Sequence, residues 1–137
     1  MTTATDLETK KIEVGDILLC SWGYEANISD FYRVTKRTAT TVTVEKLKSV
    51  TVGYGDFYDS RQVAPSDEVA TEREWDSATQ DYVTKPVILK RKVKSSTARG
   101  WNPIEGEYAI TREYIQPRDY SYAHIWSGVT QIDYNHH

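Results

Sequence analysis

Cysteine is nearly missing from this 137-residue chain. Cys20 stands alone, so no internal disulfide can form, and the fold must rest on a packed core. A length of this order is enough for one domain to bury such a core without metal or cross-links. A lone thiol also argues against an oxidising compartment, so the cytosol is the expected setting. Long apolar runs are missing too. None approaches the roughly 18 residues of a membrane-spanning helix, and Met1-Thr2-Thr3-Ala4-Thr5-Asp6 is polar, unlike a secretory leader. Without a leader, the glycosylation-like triplet Asn27-Ile28-Ser29 reads as a chance match. Neither sign of charge prevails strongly: 17 Lys and Arg against 20 Asp and Glu give a net charge of -3. That balance excludes a molecule built as a general polyanion binder.

Windows rich in Ala and Leu with a helical period are absent as well, whereas ten tyrosines, four tryptophans and many Thr and Val residues favour pleated, half-buried surfaces. The expected class is mainly β: a small SH3-like or Tudor-like curled antiparallel sheet or barrel of about five to seven strands. The expected organisation is a flexible tail over residues 1–11 and a single domain over 12–135.

Residues 17–22 are almost continuously apolar and read as a central strand. Residues 31–38 place Phe31, Arg33 and Thr35 on one side and Tyr32, Val34 and Lys36 on the other. In 41–48, Val42 and Val44 share a face, and Arg37-Thr38-Ala39-Thr40 is short enough to be the hairpin turn before it. Residues 87–94 alternate Val87, Leu89 and Val93 with Lys90, Lys92 and Lys94. Ser95-Ser96-Thr97-Ala98-Arg99-Gly100 has the composition of a loop, and 120–134 reads as a hairpin turning at Ser127-Gly128. The acidic insertion, 65–82, differs from the rest. It carries Asp67, Glu68, Glu72, Glu74, Asp76 and Asp81 against Arg73, and its spacing predicts one short helix over 67–78, capped by Ser66 with Val69 and Trp75 turned inward.

Two constellations are candidates for binding. The first is aromatic: Trp22 and Tyr24 project to one side of an extended strand, Tyr32 faces them from the next strand, and Asn27 and Asp30 could orient a ligand. Such rings suit stacked nucleobases or a protein partner. The bland alternative is that the rings are core, with Asn27 and Asp30 serving only the turn. The second is basic: Lys85, Lys90, Arg91, Lys92, Lys94 and Arg99 lie close in sequence, with Arg112 beyond them and Trp101, Tyr108 and Tyr114 nearby. This pattern fits phosphate contacts along a nucleotide or single strand. Its alternative is a solvent face guarded by lysines.

Catalytic signatures fare worse. Gly53-Tyr54-Gly55 lacks the third glycine of a dinucleotide fingerprint, and no phosphate-loop lysine follows a glycine run. Cys20, inside an apolar strand, reads as a small hydrophobe, and His124 as structural. Paired acids such as Glu72 with Glu74 and Glu105 with Glu107 are commonplace on solvated faces. His136 and His137 lack the partners of a structural zinc site. No enzyme activity, cofactor or metal is expected.

Behind Val14-Gly15-Asp16, the blocks Ser21-Trp22-Gly23-Tyr24 and Asp30-Phe31-Tyr32, with Val34, resemble those of small accessory proteins encoded by tailed bacteriophages, prophages and other mobile elements. The likeness spans residues 14–47. Tyr122-Ala123-His124-Ile125-Trp126-Ser127-Gly128 is similar to the aromatic-Gly hairpin that often closes them. Where those proteins commonly carry an Asp-Gln-Thr-Asn-type connection, this chain has Glu25-Ala26-Asn27-Ile28-Ser29. The resemblance implies a setting, the cytoplasm of a bacterial host, and no reaction. The functional expectation is a non-catalytic accessory protein that binds a host factor or antagonises a host defence. A nucleotide or single-strand binding module and a self-associating or virion-assembly protein are the alternatives.

Overall fold

The computed structural model describes residues 8–22, 26–54, 60–104, 106–118, 121–129 and 131–135. Every helix or strand among them is a strand. In chain order they are β1 (Glu8–Lys10), β2 (Ile17–Trp22), β3 (Ala26–Arg37), β4 (Thr41–Tyr54), β5 (Ser60–Val69), β6 (Thr71–Asp76), β7 (Asp81–Pro86), β8 (Ile88–Lys92), β9 (Lys94–Asn102), β10 (Gly106–Ile115), β11 (Ala123–Ile125) and β12 (Gln131–Asn135). Ten strands form one sheet, and β6 with β7 forms a second. The larger sheet is antiparallel apart from β1 against β10. The expected five to seven strands become twelve among the described residues because stretches read as tail, helix or loop, those of β1, β6, β7 and β9, are strands as well, and long segments also change partners along their length. β4, for example, lies between β3 and β8 in its first half and pairs with β5 in its second.

Alternation decides which side chains meet. Tyr32 and Val34 of β3, Val42 and Val44 of β4, Leu18 and Cys20 of β2, Ile115 of β10 and Ala123 of β11 join Ile12 in the main core, and Leu89 and Val93 pack on it. Strands from distant parts of the sheet thus share one cluster, so the sheet curls around it. The sheet does not close into a barrel: among the described residues β8 pairs only with β4 and β9 only with β10, so no ladder joins the two ends of the strand order, although the chain itself passes from one to the other through Val93. Phe31 points the other way and, with Leu47 and Val63, forms a second cluster backed by Ile17, Leu19 and Trp126. Its ring meets Trp126 edge to face at 5.6 Å. Each such fully buried apolar side chain contributes about 1.5–3 kcal/mol, so β3, covered on both faces, is the central strand.

Polar clamps hold the curl. Arg91 of β8 donates to the carbonyls of Gln116 (3.2 Å) and Pro117 (3.0 Å) beyond β10. Arg37 pairs with Glu113 at 2.8 Å and donates to the Ile12 carbonyl at 2.8 Å, while the Ile12 N–H donates to Glu113 at 2.9 Å. Glu113 is half-buried here, and the Arg37 hydrogen bond holds its carboxyl below the usual carboxylate range.

Several expectations need correction. The helix over 67–78 is instead the end of β5 and the hairpin β6–β7. Helical spacing would have stacked Glu68, Glu72 and Asp76 at i, i+4, where like charges repel. In the hairpin, Trp75 instead faces Tyr82 across the strands at 5.2 Å, Arg73 lies 4.5 Å over the Tyr82 ring, and Lys85 pairs with Glu74 at 2.8 Å. Ser66 does not cap a helix but donates to the Lys48 carbonyl at 2.7 Å. Ser95 to Gly100 is no loop, since it belongs to β9 and pairs along β10. Residues on either side of Ser127-Gly128 do not pair with each other: β11 goes to β2 and β10, and β12 to β3 and β5. Within the expected tail, Glu8–Lys10 is held as β1 against Ile110, Thr111 and Arg112. The 37–40 turn, the inward Val42 and Val44, and the outward lysines of β8 are as expected.

Candidate functional site

The sequence-predicted aromatic site does not assemble as expected. Tyr32 is 4 % exposed and belongs to the main core. Burial, followed by the Asp30 charge, drives its phenol well above its ordinary pKa. A ring sealed in this way cannot stack on a ligand. Asp30 is half-buried and pairs with Lys46 at 3.5 Å, a structural use of its charge. Trp22 ends β2 opposite Ile28, and Asn27 pairs with Tyr134 through the backbone, but the side chains of both lie outside the described residues, as does all of Tyr24. Cys20 is fully buried, and burial pushes its thiol up, opposite to the shift that activates a nucleophile.

The basic constellation fares differently. On β10 the alternation of Tyr108, Ile110, Arg112 and Tyr114 puts these four side chains on the face away from Ala109 and Ile115, which are buried. Antiparallel pairing brings Ala98 beside Ile110 and Ser96 beside Arg112 on one flank, and His124 beside Tyr114 on the other. With Tyr122, these residues line an open groove of about 550 Å³. Tyr114 and Tyr122 meet edge to face at 5.6 Å. Arg112 and His124 also line the adjoining hollow of about 320 Å³ next to Trp126, so they form the wall between the two.

Gly100 sets the position of the Tyr108 ring. A Cβ there would lie 2.3 Å from both Cζ and Oη of Tyr108, so the phenol lies directly across the glycine backbone. Here a strand glycine marks a close approach.

The groove has a floor of Ala98 and Ile110, three tyrosine rings with hydroxyl tips, one guanidinium and one imidazole. Flat π faces and a forked cation recognise a planar ring that carries an anionic group. Arg112 is exposed and has no ion pair among the described residues, so its charge is available. Lys90 and Lys92 project from β8, outside the groove lining. The described residues hold no group of three or more His, Cys, Asp or Glu able to bind a metal ion.

Of these residues, Arg112, Tyr108 and Tyr114 were visible in the sequence as neighbours of the basic run. Tyr122 and His124 enter the sequence reading only in the closing hairpin motif, with His124 read as structural, and not as site residues. Their signal is the period-two pair itself, but only the β10–β11 pairing shows that it faces Tyr114. Compared with family models, curated proteins and solved structures, the chain matches none.

Proposed function

We propose that the protein is a binding module whose groove across β9, β10 and β11 takes a nucleobase-bearing anion. The base stacks among Tyr108, Tyr114 and Tyr122, and Arg112 meets the phosphate, with His124 beside it. The observation that supports this reading is the convergence of three tyrosines, an exposed guanidinium and an imidazole on one open groove. Stacking of a base on an aromatic side chain contributes about 1–3 kcal/mol, so two engaged rings and one phosphate contact suffice for selective binding. The test is a titration of tyrosine and tryptophan fluorescence with adenosine monophosphate and with adenosine. Saturable quenching that weakens for the nucleoside and for Arg112→Ala supports the reading. Equal response to both ligands, or none, refutes it.

Binding to a host protein, in the phage-type setting and the bacterial cytoplasm, is a second reading. One specific observation favours it. The hairpin β6–β7 touches no other strand more than marginally among the described residues, and it carries half-exposed Trp75 and Tyr82 at its end, the residue types that anchor protein interfaces. In either reading the curled sheet is an SH3-like scaffold, a frame that does not itself decide the ligand.

A further inference from the structure

Three lysines outside the groove are aligned with it. Lys90 and Lys92 pair with Thr43 and Thr41 on the outward face of β8, while Leu89 and Val93 turn into the core. After Val93 the same alternation continues into β9: Lys94 lies opposite Tyr114, Ser96 opposite Arg112 and Ala98 opposite Ile110. Residues 90, 92, 94, 96 and 98 therefore share one face of a single extended segment, and its last two members form a wall of the groove. At about 3.3 Å per strand residue, successive lysines stand about 6.6 Å apart, and flexible stems let each ammonium adjust. Lys90 and Lys92 have no ion pair among the described residues. Lys94 donates to the Gln116 side-chain amide, a neutral partner that leaves its charge in place. On the β4 side, the acid nearest the line, Glu45, is taken by Arg33.

We propose that the ligand of the groove is a single strand of nucleic acid. Its bases enter among the tyrosines, and its backbone runs out along Lys94, Lys92 and Lys90. This inference rests on the proposed groove function and narrows it: a mononucleotide engages only Arg112, whereas a strand of about four nucleotides engages the lysines as well. A lysine-guarded sheet edge is the competing explanation, and it predicts no contribution to affinity.

The experiment measures binding of fluorescein-labelled oligothymidylates of one to ten nucleotides by anisotropy at 50–200 mM salt, with unlabelled adenosine monophosphate as competitor and a hairpin duplex as control. Affinity is expected to rise with length to about four nucleotides and then level off. Each lysine–phosphate contact on a single strand contributes about 0.7 to the salt slope. Lys90→Ala with Lys92→Ala should therefore lower the slope by about 1.4, making the loss between 50 and 200 mM about sevenfold smaller, with mononucleotide binding unchanged. Mononucleotide binding without length dependence, or an unchanged slope in the double variant, overturns the lysine path and leaves the groove standing. Equal affinity for the duplex overturns the single-strand assignment. No binding of either mononucleotide or oligomer overturns the groove reading itself.

Discussion

Replacing Gly100 by alanine changes one methyl group and separates ring position from ring presence. The new Cβ would fall 2.3 Å from Cζ and Oη of Tyr108, well inside any tolerable contact. The strand backbone at Gly100 is paired with Tyr108 and can accept an alanine, so the conflict falls on the phenol, which must swing off the β9 surface. For stability the effects nearly cancel. Alanine in a strand interior is favoured over glycine by about 0.5–1 kcal/mol, and the displaced ring, already 38 % exposed, gives back a comparable amount of contact. Binding has no such offset. Losing one correctly placed stacking ring costs about 1–3 kcal/mol, or about 5- to 150-fold in Kd, at 1.4 kcal/mol per tenfold. The assay is a nucleotide titration of wild type, Gly100→Ala and Tyr108→Ala, each with a thermal melt. The two variants should bind about equally poorly and melt close to wild type. Wild-type affinity in Gly100→Ala alongside lost affinity in Tyr108→Ala would show that the ring's resting place is irrelevant, and the positional argument would fail.

Three further outcomes follow from the packing. Glu113 has its folded pKa depressed, first by the Arg37 hydrogen bond, so its contribution is present above the unfolded value of about 4.3 and lost as pH falls through the folded one. Urea melts should accordingly show Glu113→Gln less stable than wild type at pH 7, with the gap narrowing as pH is taken below the unfolded value, and a gap that does not change with acidification would contradict this. Phe31→Ala empties a fully buried site between Leu47, Val63 and Trp126 and should cost about 3–5 kcal/mol in urea unfolding; a loss under 1 kcal/mol would mean that the second cluster is not a core. Trp75→Ala removes an aromatic pair worth about 0.5–1.5 kcal/mol from a hairpin with little attachment elsewhere. Amides over 71–86 should exchange about 2- to 13-fold faster while the global melting midpoint stays fixed, and a shared shift of both would show the hairpin to be part of the cooperative core.

Local alternation carried most of what could be read directly from the chain. Val42 with Val44, and Leu89 with Val93 against the lysines, announce their faces because a buried side and a wet side need different residues at period two. The turn at 37–40 is legible for the same reason, being a short polar gap between two such runs. The acidic stretch misleads because its composition suits a solvated helix as readily as a hairpin, and the Trp75–Tyr82 contact that settles it joins residues seven apart. Serines and a glycine make 95–100 look like a loop, although pairing along β10 satisfies that backbone. Pairing between distant segments is the part no local pattern shows. It sends β11 and β12 to different neighbours, seals Tyr32 inside, and gathers Arg112, Tyr114 and His124 on one face.

The most direct test is residue-resolved. Amide chemical shifts of the ¹⁵N-labelled protein are followed as adenosine monophosphate is added to saturation. The groove account predicts that the largest changes fall on Ala98, Tyr108, Arg112, Tyr114, Tyr122 and His124, with little movement at Thr71–Asp76. Changes centred instead on Trp22 to Ile28 or on the hairpin β6–β7, or no changes at millimolar nucleotide, would contradict it.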